Sequence, residues 1–402
     1  MSFLVAVVGL GLLVLVHELG HFTASLALGM RPRKFYIGFP PAVVKTMRRG
    51  IEYGIGAIPL GGFVKIPGMH RPAPGDVDAR FARTALEAPD LAGPIERLRW
   101  SLGVGDDASA KAASAALRQL TDQRALSDAA RSSARRALDD IDDALGPDAY
   151  WRAPTWKRVI AIAAGPAANM LLTVVLLIAL FASSGGRATT RVAEVASQSP
   201  AAKAGLRSGD RILEIGGVPV VAKDIPKRIQ SSDGRPLVLT VMRRNDRLLL
   251  GPVAPKLSDG VYRLGFALQG VGLPLPQATT AAFRVTGQVT RDIVAAIGHL
   301  TTGKGRDQIS SPVGIVQGSS EAVKQGTDSY LSVLALISLS IALLNLLPLL
   351  PLDGGHIAFA VVEGVRGRAL GREVYERVSV VGIALVVLLF VIGLSNDIPN
   401  IS

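Results

Sequence analysis

The segment His17-Glu18-Leu19-Gly20-His21 sets two imidazoles four residues apart with a carboxylate between them. Four residues advance an α-helix by about 400°, so both rings lie on one face a single turn apart, where two nitrogens can grip one metal ion. Glu18 then stands where a base must stand to take a proton from a metal-polarised water before that water attacks a carbonyl. Catalytic zinc usually takes three protein ligands and keeps a further position open. The chain has no cysteine, so the third ligand must be another histidine or a carboxylate. His70 and His299 lie outside the apolar runs described below. Asp353, in Asn345-Leu-Leu-Pro-Leu-Leu-Pro-Leu-Asp-Gly-Gly-His356, is the better candidate. Pro348 and Pro351 interrupt a helix there, and irregular backbone at membrane depth is tolerated where it is buried in protein or lines a cavity. Two other readings stay open: His356 as ligand or as a residue that orients one, and Asp353 as the N-cap of a helix starting near Gly354.

The elements that must carry these residues are membrane spans. Of 402 residues, 49% are hydrophobic and only 19% are charged, with a mean hydropathy of +0.36. Soluble domains of this size seldom show that balance. Apolar runs long enough to cross a bilayer core, about 20 residues, occur at 3–28, 159–182, 330–350 and 378–394. The first is no ordinary signal peptide, because it lacks a basic start and carries His17, Glu18 and His21 in its core. Imidazoles and carboxylates inside such a span are costly unless they pair or bind something, which strengthens the metal reading over that of polar residues joining helices.

The net charge of +12 does not point to nucleic acid, because the basic residues crowd around the span ends. Arg31, Arg33, Lys34, Lys45, Arg48 and Arg49 follow the first span, Arg152, Lys157 and Arg158 precede the second, and Arg366, Arg368, Arg372 and Arg377 separate the last two. The positive-inside rule makes all three regions cytoplasmic and turns both chain ends outward. The expected fold is a multi-pass α-helical membrane protein. It comprises helix 1 (1–30), a membrane-associated β region (31–70), a cytoplasmic Ala- and Arg-rich helical insert (71–152), helix 2 (153–184), an outward soluble domain (186–256), a further outward region (257–327), helix 3 (328–356) and a basic loop with helix 4 (357–402). In the insert, Leu117, Leu120, Leu138, Ile141 and Leu145 recur at helical spacing, as in a solvated helical hairpin without chemistry of its own. The segment Tyr53-Gly-Ile-Gly-Ala-Ile-Pro-Leu-Gly-Gly-Phe-Val-Lys65 reads as short strands with turns.

With HELGH come Pro59-Leu-Gly-Gly-Phe63, Gly165-Pro-Ala-Ala-Asn169 and the Asn345 to Gly355 segment, in that order. Together they resemble a bacterial site-2 protease of the sigma-E-regulator type over nearly the whole chain except the insert. The resemblance implies one zinc on His17, His21 and Asp353, Glu18 as base, and Asn169, Asn345 and Pro348 near the substrate backbone. It implies that the sheet around Gly61 and Gly62 pairs with an extended substrate strand. It implies regulated intramembrane proteolysis of single-span membrane proteins, such as anti-sigma factors or remnant signal peptides, in the bacterial inner membrane. The segment Ser199-Pro-Ala-Ala-Lys-Ala-Gly-Leu-Arg-Ser-Gly-Asp-Arg-Ile-Leu-Glu-Ile-Gly-Gly217 resembles a PDZ domain, which implies an extracytoplasmic domain that binds peptide or screens out bulky substrate ectodomains. Ser311-Pro-Val-Gly-Ile315 resembles a further motif of the family, with no physical role evident in the sequence.

Other classes fit less well. An aspartyl protease needs two facing acids, and a rhomboid-type serine protease needs a Gly-x-Ser with a histidine base, which no span offers. A zinc transporter would show an internal repeat. An inert membrane scaffold presenting its PDZ domain would not need His17, Glu18, His21 and Asp353 together.

Overall fold

The computed structural model describes residues 1–258, 260–300, 311–368, 370 and 372–397. Among them, four helices are long and apolar enough to cross a membrane: Ser2–Ala27, Thr155–Ser183, Thr327–Asn345 and Val374–Asp397. The chain divides into two compact units, one of Met1–Thr173, Thr290–Gln325 and Leu336–Ser402, the other of Val174–Val289 and Gly326–Ala335.

In the first unit, helix α1 (Ser2–Ala27) leads into a hairpin of strands β1 (Lys34–Arg48) and β2 (Ile51–Lys65). The expected short strands are instead two strands of 15 residues, each bent in the middle. Gly38 lies at the bend of β1 with φ of 84°, and a Cβ there would meet the Ile58 carbonyl oxygen at 2.7 Å. Because of the bends, residues 34–37 pair on one side with 52–55 and on the other with 62–65. The 62–65 segment, with Gly62 at its start, pairs with no further strand among the described residues, so it is an edge.

The insert is not a solvated hairpin. It forms four helices, α2 (Pro74–Glu87), α3 (Ala92–Val104), α4 (Asp107–Gln123) and α5 (Asp128–Leu145), around a core of Phe81, Leu91, Leu98, Leu117, Leu138 and Leu145. Asp106 and Ser127 cap α4 and α5 by accepting from backbone amides in the first turn. Acids on and after α5 hold the insert against the hairpin: Arg33 pairs with Asp143 at 2.7 Å and Asp148 at 2.8 Å, and Lys65 pairs with Asp140 at 2.7 Å. A hairpin periodicity was legible, but burial by four mutually packed helices was not, since no single helix can bury its own stripe.

The spans α6 (Thr155–Ser183) and α1 approach at small residues, where a Cβ on Gly20 would meet Ala164 backbone carbon at 2.8 Å and Ala168 Cβ at 2.9 Å. Helix α10 (Pro312–Gln325) gives Ser311-Pro-Val-Gly-Ile315 its physical role. Ser311 accepts through its hydroxyl from the Val313 amide at 3.2 Å, and its own amide donates to Asp397 Oδ2 at 2.6 Å. Gly314 leaves room for that carboxylate, since a Cβ there would lie 2.6 Å from Asp397 Oδ1. The motif builds a helix start clasped by the end of α13 (Arg372–Asp397).

The second unit contains a sheet of order β10-β3-β4-β6-β7, with β3 (Arg187–Val195), β4 (Arg211–Ile215), β6 (Leu237–Arg243), β7 (Asp246–Val253) and β10 (Phe266–Val271). A core of Val192, Leu206, Ile212, Ile215, Ile225, Leu239 and Val241 lies against it. Residues 266–271 join this sheet beside β3, so the folded domain runs past residue 256.

Asp210, buried at the start of β4, pairs with Arg243 through both carboxylate oxygens at 2.7 and 2.8 Å and also accepts from the Arg207 amide. Burial disfavours its charge, but the Arg243 pair and the amide outweigh that and hold its pKa below the ordinary aspartate value. This stabilisation is therefore present above the unfolded value of about 3.9 and fades as pH falls through the lower folded value. Asp210→Asn should cost the unit about 2 kcal/mol at neutral pH. Hydrogen exchange of β4 and β6 amides should speed up in the variant and, in the wild type, only on acidification below pH about 4.

Candidate active site

Helix α1 delivers His17 and His21 to one buried face, as their spacing requires, with their Nε2 atoms 3.2 Å apart. The third corner is Asp353, whose Oδ2 lies 3.1 Å from His17 Nε2 and 3.3 Å from His21 Nε2. Asp353 belongs to the first turn of α12 (Asp353–Arg366), whose N-cap position is Leu352 and which has no side-chain cap. The N-cap reading of Asp353 is thus wrong, and its carboxylate is free to face the histidines. Gly354 and Gly355 let residues 346–350 fold back closely over this turn: a Cβ on Gly355 would lie 2.6 Å from the Leu350 amide nitrogen.

Two contacts that no sequence spacing reveals orient His21. Its Nδ1 donates to the Ala161 carbonyl at 3.1 Å, which leaves Nε2 as the lone-pair atom of a neutral ring. Gly165, one turn further along α6, lies directly under the imidazole: a Cβ there would fall 2.7 Å from His21 Cδ2. The Gly165-Pro-Ala-Ala-Asn169 motif contained this glycine, but only the folded pairing of α1 and α6 shows what it accommodates.

Glu18 is half-buried beside β2, where a Cβ on Gly62 would meet Glu18 Cγ at 3.2 Å and the Tyr36 carbonyl oxygen at 2.7 Å. Gly61 has φ of 129°, a conformation that favours glycine. Asn169 is fully buried on α6, and among the described residues neither atom of its side-chain amide has a hydrogen-bond partner, whereas its backbone carbonyl accepts from Thr173 and Ser338. Asn345, last residue of α11 (Thr327–Asn345), spends its amide on the Ile341 carbonyl at 3.0 Å. Pro348 is exposed in the segment that follows. Among the described residues, His17, His21 and Asp353 are the group able to hold a metal, and His356 is not part of it. His70 faces Asp76 at 3.8 Å instead, and the His299 side chain lies outside the described residues.

The three donors fit zinc. Three lone-pair atoms 3.1–3.3 Å apart repel one another unless a cation lies among them. Tetrahedral zinc with ligand distances near 2.0–2.1 Å calls for ligand atoms about 3.3 Å apart. Two neutral imidazoles and one carboxylate are also the donor types that zinc accepts in catalytic sites.

A sequence profile of peptidase family M50 matches residues 5–389. The chain belongs to peptidase family M50. Its similarity extends over whole relatives: 30% identity to a protein of Agrobacterium fabrum across 98% of this chain and 94% of that one, and 27% to the zinc metalloprotease RasP of Bacillus licheniformis across 97% of both. The regulator of sigma-W protease RasP of Bacillus subtilis is 26% identical across 97% of this chain and 96% of its own. The M50 chain is accordingly a zinc metallopeptidase, and the site-2 protease resemblance of its motifs is borne out.

Replacing Gly165 tests the packing that orients His21. Gly165→Ala should push the imidazole off the Ala161 carbonyl and weaken zinc retention roughly 10- to 100-fold. Zinc content after graded chelator dialysis checks this, with Gly11→Ala, at a glycine with open space around it, keeping wild-type zinc.

Proposed function

We propose that this M50 peptidase cuts the transmembrane segments of single-span membrane proteins. The observation that carries the reading is the triangle of buried His17 and His21 with half-buried Asp353, on or next to helices long enough to span a bilayer. His17, His21 and Asp353 would hold the zinc. When bound, that ion supplies a Lewis acid that acidifies water and polarises a carbonyl. Glu18 takes a proton from the attacking water as the new C–O bond forms, and returns it to the amide nitrogen as the C–N bond breaks.

A helical peptide bond is shielded, so the substrate must be extended at the cut. The free edge of residues 62–65, next to Glu18, supports strand addition there, with Gly61 and Gly62 at its start and Gly62 letting it lie against Glu18. The unpartnered amide of Asn169 supports a role in holding that backbone, since a peptide offers both a donor and an acceptor. Asn345 and Pro348 flank the same approach in this reading, Asn345 through an amide that leaves Ile341 for the substrate.

The soluble domain acts as an extracytoplasmic PDZ domain that contacts substrate peptide or screens ectodomains, and residues 31–156 are cytoplasmic in a bacterial inner membrane. Basic residues around the first, second and fourth spans support that orientation. The name of the Bacillus subtilis relative supports membrane regulators of sigma factors as substrates.

Purified protein with a single-span model substrate provides the test. Glu18→Gln should retain zinc and lose cleavage by at least about 1000-fold, whereas Asp353→Asn should lose both. Asn169→Ala should keep zinc and lower kcat/KM about tenfold. Normal cleavage by Glu18→Gln would reject the assignment.

A further inference from the structure

The tip of the β1–β2 hairpin and the adjoining end of α1 enclose a cleft of about 1130 Å³ that the catalytic chemistry does not use. Four arginines line it: Arg33, which is held by acids, and three others, Arg31, Arg48 and Arg49. These last three are exposed, and none has an acidic partner among the described residues. The acids nearby are committed elsewhere: Glu52 accepts from Tyr36 at 2.6 Å and faces Lys34 at 3.3 Å, while Asp143 and Asp148 hold Arg33. Arg49 also stands at φ of 51° beside Gly50 at 80°, in a two-residue turn whose left-handed conformations suit Asn or Gly. A long cation held there projects from the tip at a backbone cost of about 1 kcal/mol.

The wall beside these cations is apolar. Leu26 and Met47 line the cleft and are 40% and 66% exposed. Positive charge beside unpartnered apolar side chains at the end of a membrane-spanning helix matches the boundary between lipid headgroups and acyl chains. We propose that this cleft binds the phosphate headgroup of an anionic phospholipid, with its acyl chains along Leu26 and Met47. The inference rests on α1 spanning the bilayer and is independent of which residues bind zinc. A bound lipid would fix the hairpin that carries the edge beside Glu18, so lipid composition would set the geometry of that edge.

The test uses the full chain in neutral detergent, with native mass spectrometry against phosphatidylglycerol, phosphatidylcholine and inorganic phosphate. Wild type should retain one phosphatidylglycerol at concentrations where phosphatidylcholine is not retained. The triple variant Arg31→Gln, Arg48→Gln, Arg49→Gln should bind at least about tenfold more weakly, since each basic side chain near an anionic surface contributes severalfold. Its zinc content should be unchanged, which shows that the fold is intact. Equal retention by the variant, equal retention of phosphatidylcholine, or displacement by an equal concentration of inorganic phosphate would overturn the proposal. Zinc and cleavage are measured on the same samples, so a failed catalytic assignment registers separately from a failed lipid site.

Discussion

Three lone-pair atoms brought within about a hydrogen-bond length of one another, in a buried and largely apolar setting, form the constraint around which the first unit is arranged. Without a cation they are mutually repulsive and poorly solvated, so the protein must hold them together through rigid neighbours. The neighbours are mostly glycines and backbone groups. Gly165 admits the His21 ring, Gly20 brings α1 against α6, and Gly354 and Gly355 let the interrupted segment after α11 close over the turn that carries Asp353. Each is a position where a single methyl group would separate elements that the cluster of His17, His21 and Asp353 needs in contact.

The same logic of close approach links the site to the hairpin. Gly62 brings β2 to Glu18, and the bend at Gly38 lets one strand use both of its edges while leaving residues 62–65 with one side open. The hairpin is in turn braced from its polar side by the insert, through Arg33 and Lys65 and the acids of α5. Exposed ion pairs contribute little singly, but these join a strand end to a helix bundle at several points and so restrict the angle between them. The helical insert is thus tied to the hairpin at several points.

The sequence by itself determined what local rules govern. Apolar runs of bilayer length became the four candidate spans within a few residues, because burial of backbone polar groups leaves few alternatives to a helix there. The HELGH spacing put both imidazoles on one face, because four residues on a helix leave no choice. Asp353 was legible as a candidate from the prolines before it, but not separable from a helix cap or from His356. Only the tertiary structure brings Asp353, and not His356, to the two imidazoles, because that depends on where α12 lies against α1. It alone showed that the Ala161 carbonyl sets the His21 tautomer and that the Asp397 carboxylate clasps the Ser311 motif. The four-helix core of the insert was likewise beyond the periodicity of any one segment. Those contacts join residues far apart along the chain, and a backbone carbonyl or a missing Cβ acts only through the neighbour that folding brings to it.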